Sequence, residues 1–151
     1  MIRAGALASV LGDALPSRDL IVTADHGMVL PGANGAPIVV NASALVGAPG
    51  IAFLDWRALG ADFSYYHIET ENHETVLAEG APAETYIDYV GRRSFDNYAD
   101  YEARFGDERI ITEMPAPRVS SARLLPEHVR TRLGIGDSGE RNEHAALERA
   151  A

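Results

Sequence analysis

A threonine hydroxyl and a histidine imidazole stand three residues apart in Thr23-Ala24-Asp25-His26. The quartet ends the apolar run Leu20-Ile21-Val22 and is followed by Gly27-Met28-Val29-Leu30. Together these side chains can grip one peptide bond from two sides. An imidazole gives and takes a proton near neutral pH, and a hydroxyl can donate a hydrogen bond. In extended backbone, positions i and i+3 point to opposite faces, so the chain must bend at Ala24-Asp25 for the two to converge. Gly27 eases such a bend, and Asp25 is expected as a turn or orienting residue. Two more imidazoles, His67 and His73, lie further on, on either side of the polar pair Glu71-Asn72.

Short strands must carry these groups. Runs rich in β-branched and aromatic residues, broken by Gly and Pro, predict strands over 20–23, 28–30, 37–40, 61–69, 74–78 and 83–86. Pro31-Gly32-Ala33-Asn34-Gly35 is a turn signal, with Asn34-Gly35 suited to positive φ. Asn41 is placed to cap a short helix over 42–45, ended by Gly47. Strands at intervals of about ten residues point to a mainly β body rather than βαβ units. Residues 1–19 are Ala- and Leu-rich, with room for one helical turn. Tyr98, Tyr101 and Phe105 have helical spacing, and 124–133 predicts an amphipathic helix. Phe63, Tyr65 and Tyr66 are expected in the core or on a sheet face. The last stretch is polar and reads as a loose tail.

The T-x-x-H quartet resembles the B block of the Hint family, the hedgehog and intein autoprocessing domains. Phe63-Ser64-Tyr65-Tyr66-His67-Ile68-Glu69, continuing through His73 to Ala78-Glu79-Gly80, resembles that family's F block. Pro16-Ser17-Arg18-Asp19-Leu20, Asn41 to Gly47 and Ala81-Pro82-Ala83-Glu84-Thr85-Tyr86 are similar to a bacterial hedgehog/intein (Hint_2-like) subgroup. The resemblance runs from about residue 2 to residue 90, in order. It implies a Hint-like β fold, incomplete, with a short helical or irregular C-terminal extension: residues 1–90 as the C-terminal portion of a Hint-like domain, 91–133 as the extension, and 134–151 as a flexible tail.

The resemblance also implies a mechanism. His26 would donate to the scissile amide nitrogen, Thr23 or nearby backbone amides would hold the carbonyl, and His73 or His67 would act as the second acid/base. Tyr66 and His67 compete for one family position. Family chemistry starts when a Cys or Ser at the domain's first position attacks the carbonyl before it. Here Met1 stands first, the chain has no cysteine, and the family's A block is missing. The expected partner is therefore the chain's own N-terminal flanking polypeptide or a missing Hint half. Inteins finish by cyclising an Asn that follows a His. No His-Asn pair occurs, and Asn142-Glu143-His144 has the order reversed, so cleavage or acyl transfer is expected rather than splicing. A bacterial, exported context is a further implication of the family.

Composition excludes several other chemistries. A net charge of −9 argues against a nucleic-acid partner, and no apolar run approaches a membrane span. All 13 basic residues are Arg, which removes Schiff-base and lysine-base mechanisms. The absence of cysteine removes disulfides, thiolate metal sites and thiol nucleophiles. No cofactor or metal is expected. Two alternatives stand beside self-processing. One is a metal site built from His67, Glu69, His73 and His26. The other is a non-catalytic β module that assembles with a partner chain or with itself through exposed strand edges. His128 and His144 read as surface histidines.

Overall fold

The computed structural model describes residues 1–60 and 63–136. Strands β1 (Gly27–Pro31) and β2 (Pro37–Asn41) form an antiparallel hairpin in the register Gly27↔Asn41 to Pro31↔Pro37. The turn signal between them operates as its residue types require. Asn34 Oδ1 accepts the Ala36 N–H at 3.1 Å, and Gly35 takes a φ of 79°. A second hairpin joins β3 (Thr75–Ala78) to β4 (Ala81–Glu84). Its two-residue loop, Glu79-Gly80, has positive φ at both positions, the geometry whose twist matches the flanking strands. The Arg18 guanidinium holds the Glu79 carboxylate at 2.8 and 2.6 Å, and Ser17 N–H donates to its carbonyl.

Strand β4 pairs with β1 at Met28↔Ala83, and β5 (Arg118–Val119) joins β2 in parallel. The described residues thus form a five-stranded sheet in the order β3-β4-β1-β2-β5. The architecture is mainly β, with α1 (Ala8–Leu11), α2 (Tyr98–Phe105), α3 (Glu127–Leu133) and short 3-10 turns around it. No described helix is long and apolar enough to cross a membrane.

Met28 and Leu30 of β1 and Val40 of β2 face a core completed by Ile2, Leu7 and Leu45. Val129 and Leu133, four residues apart on α3, enter the same cluster together with Val119, Leu125 and Ile135. The chain beyond residue 90 is therefore packed into the core of the part before it. Gly134, in the left-handed region, ends α3.

Four local expectations are corrected. Over 20–23 only Leu20 pairs, through a bridge to Ile2. Residues 63–69 form no strand, because no described strand runs beside them; the Ile68 carbonyl accepts Tyr86 N–H instead. Phe63, Tyr65 and Tyr66 consequently leave the core, and Tyr66 is 86% exposed. Asn41 precedes a 3-10 helix over Ala42–Leu45 but does not cap it, since its Oδ1 accepts from Arg118 Nη1 at 3.1 Å. Residues 61–62 of one expected strand, and 137–151 of the expected tail with His144, lie outside the described residues.

Candidate active site

The bend demanded by the Thr-x-x-His spacing lies at Ala24-Asp25. His26 N–H returns to the Thr23 carbonyl at 3.3 Å, closing a four-residue turn. The turn is fastened to the Ala42–Leu45 helix at two points: Ser43 N–H donates to Ala24 O and Ala42 N–H to His26 O, both at 2.9 Å. On the far side, Gly27 N–H donates to Glu84 Oε1 at 2.6 Å. His26 is therefore held by its own carbonyl and by the next amide, with its ring free to face inward.

Gly27 is required for a reason other than bending. A Cβ there would stand 2.3 Å from Val39 Cγ1 and 2.7 Å from the Glu84 carboxyl carbon, inside any tolerable contact. Backbone and carboxylate approach this closely only because the residue has no side chain.

A cavity of about 670 Å³ opens beside the turn. Thr23, His26, Ser43, His67, Glu84 and the first residue, Met1, all line it, within otherwise apolar walls from Ile21, Ile51, Phe53 and Ile68. The His26 and His67 rings meet edge to face with centroids 6.3 Å apart. His67 also packs edge-on against Tyr65, Tyr86 and Phe95, at 5.6, 6.1 and 5.2 Å. Burial lowers the pKa of His26, and Glu84 counters this only in part while His67 and Arg118 add to it. His67 is lowered in the same way, by burial first and against the pull of Glu84. Both rings are thus biased toward the neutral form, able to accept a proton at one nitrogen while donating from the other.

The structure brings Thr23, His26 and His67 to one cavity. His73 lies behind it. Its side chain is fully buried, Nδ1 accepts Met114 N–H at 3.0 Å, and Nε2 meets Glu84 Oε2 at 3.0 Å. Because Nδ1 accepts, the proton sits on Nε2, and His73 donates to Glu84. Asp25 is exposed at the tip of the turn and does not line the cavity. The alternative metal set is not assembled. Glu69 is occupied by Arg92 at 2.8 and 3.0 Å and by Arg109 at 3.0 Å, and both nitrogens of His73 are engaged. Among the described residues no three His, Asp or Glu side chains group as metal ligands.

Sequence reasoning missed Glu84 and Arg118. Glu84 carried one signal, a lone carboxylate at the end of the small-residue run Ala81-Pro82-Ala83 in a strand. Arg118 carried none, because only the parallel pairing of β5 brings it there.

Residues 2–90 match the family model of the Hint domain (Hint_2). Neither the curated proteins nor the solved structures give a significant match to the chain. The turn and the two hairpins lie in the matched segment, and the chain belongs to the Hint domain family of autoprocessing-type domains and has a Hint-like β fold.

Proposed function

We propose that this chain carries the acid/base half of a self-processing site that cleaves the peptide bond at its N-terminal junction through an acyl shift. The observation that carries the reading is the shared cavity: Thr23, His26 and His67 open onto the space that Met1 also lines. A polypeptide joined ahead of Met1 would leave from the wall of this cavity.

In the proposed reaction a Ser or Cys on a segment outside this chain attacks the carbonyl carbon of the junction. The C–N bond breaks and an ester or thioester forms. The nucleophile's proton is taken by an imidazole, and the amine that leaves takes one in return. His26, neutral and half-buried, donates from one ring nitrogen to the amide nitrogen, which weakens its conjugation with the carbonyl. Thr23 and the amides of the turn hold the developing oxyanion. His67, against the His26 ring, is the second acid/base in this scheme. His73 acts only through Glu84.

A reporter fused through a Ser- or Cys-led segment to residue 1 tests this. Cleavage at the junction, accelerated by hydroxylamine, is the expected result, while the lone chain remains intact. A lone chain that cleaves itself, or a fusion inert to hydroxylamine, contradicts the proposal.

A second reading, a β module that docks a partner, is favoured by the exposed apolar rim of the cavity. Phe53 is 71% and Ile68 59% exposed, and both line the same opening. Sedimentation of the lone chain tests it: self-association or a stable complex with the upstream segment supports docking, and a monomer that ignores the segment opposes it.

A further inference from the structure

Glu84 is a carboxylate only 5% exposed, and both its oxygens are engaged. Oε1 accepts Gly27 N–H at 2.6 Å and Arg118 Nη1 at 3.3 Å, while Oε2 accepts from His73 Nε2 at 3.0 Å and from Arg118 Nη2. The first of these donors is the amide immediately after His26. Arg118 is anchored in its turn. Its Nε donates to Glu113 Oε1 at 3.1 Å, its Nη1 to Asn41 Oδ1 at 3.1 Å, and the Tyr89 ring lies 5.1 Å from the guanidinium carbon. A carboxylate this deep is tolerated only with its charge and lone pairs compensated. Arg118 supplies the charge, and Gly27 and His73 supply the remaining donors.

We propose that Glu84 and Arg118 are positioning residues for His26: the carboxylate clamps the backbone that follows the imidazole, and the guanidinium, delivered by β5 from beyond the matched segment, holds the carboxylate in place. The inference deepens the cleavage reading, on which the role of His26 rests. It also gives the segment after residue 90 a task, which is to complete the electrostatics of a site whose acid/base lies within 2–90.

The charged and titratable groups acting on His26 are Glu84 from β4, His67 from the stretch after residue 63, and Arg118 from β5. Glu84 favours the imidazolium; His67 and Arg118 oppose it. Neutralising Glu84 therefore lowers the His26 midpoint, and removing Arg118 raises it as long as the carboxylate, still held by Gly27 N–H and His73, stays ionised. A pair that braced the sheet without acting on His26 would change stability and leave that midpoint where it was.

Titration of the His26 ring by NMR in the whole chain tests this without any cleavage, so failure here and failure of the cleavage reading are separately visible. The expected results are an upward move of the midpoint in Arg118→Met, a return toward the native value in Arg118→Lys, and a downward move in Glu84→Gln. Should Arg118→Met fail to fold, Arg118→Lys still discriminates. Its point charge replaces the two-pronged grip, so the Gly27 amide should exchange with solvent faster than in the native chain. An unmoved His26 midpoint in Arg118→Met, or unchanged Gly27 exchange in Arg118→Lys, overturns the proposal.

Discussion

His26 and His67 sit at the mouth of an apolar cavity, and the cost of charging them there has consequences for the whole protein. Their folded-state pKa values lie below the ordinary histidine value, so the unfolded chain binds protons that the folded chain resists. Stability from this source is complete above about pH 6.5 and is lost as pH falls through the lowered values. We expect Tm to decline between neutral pH and pH 5, and His26→Gln to flatten that decline; an identical pH profile in the variant would contradict it. His73 is part of the fold itself, buried between Glu84 and Met114 N–H. Truncation leaves Met114 N–H without its acceptor, Glu84 one donor short and a cavity behind, at a cost on the order of 3 kcal/mol in chemical denaturation. The Thr23–His26 turn was legible because it is local, closed by a bond between residues three apart. The roles of His73, Glu84 and Arg118 were not, because they arise from pairings 11 and 34 residues apart along the chain.

At the scale of elements, the hairpins follow from their turns. Pro31 to Gly35 and Glu79-Gly80 supply the backbone conformations that two tight connections need, and the strands on either side fall close to where β-branched residues are concentrated. Residues 63–69 show the limit of that argument. Their composition is strand-like, but a strand also needs a neighbour, and none of the described ones lies alongside; the run lines the cavity instead. Gly27 is the position where an element and the site depend on one atom. Gly27→Ala forces a methyl against Val39 and the Glu84 carboxyl, so β1 and β2 must part or the carboxylate must retreat. We expect a loss of roughly 1–3 kcal/mol in stability, together with weakened protection of the residue 27 amide in hydrogen exchange. Unchanged stability would mean that the hairpin yields more easily than its packing indicates.

At the scale of the molecule, the family-matched segment and the chain after it share one core. Val119, Leu125, Val129, Leu133 and Ile135 belong to the same apolar cluster as Ile2, Met28 and Leu45. Each such side chain contributes roughly 1.5–3 kcal/mol on burial, and their sum is comparable with the entire stability of an ordinary domain. A chain ended at residue 110 should therefore lose cooperative unfolding and expose apolar surface to a hydrophobic dye. A truncated chain that melts as sharply as the full one would show that residues 2–90 stand alone. The sequence carried the amphipathic pattern of α3 but not its destination, because helical spacing identifies an apolar face without saying what will cover it.

The acid/base role of His26 is the claim on which the rest depends, and single-turnover cleavage of the fused reporter in hydroxylamine measures it most directly. Native and His26→Ala fusions should be compared at matched folding, with Thr23→Ala beside them. Loss of a positioned acid/base group should slow ester formation by on the order of a hundredfold or more, whereas Thr23→Ala should cost less, since backbone amides of the turn remain to hold the oxyanion. A His26→Ala fusion that cleaves as fast as the native one would contradict the assignment.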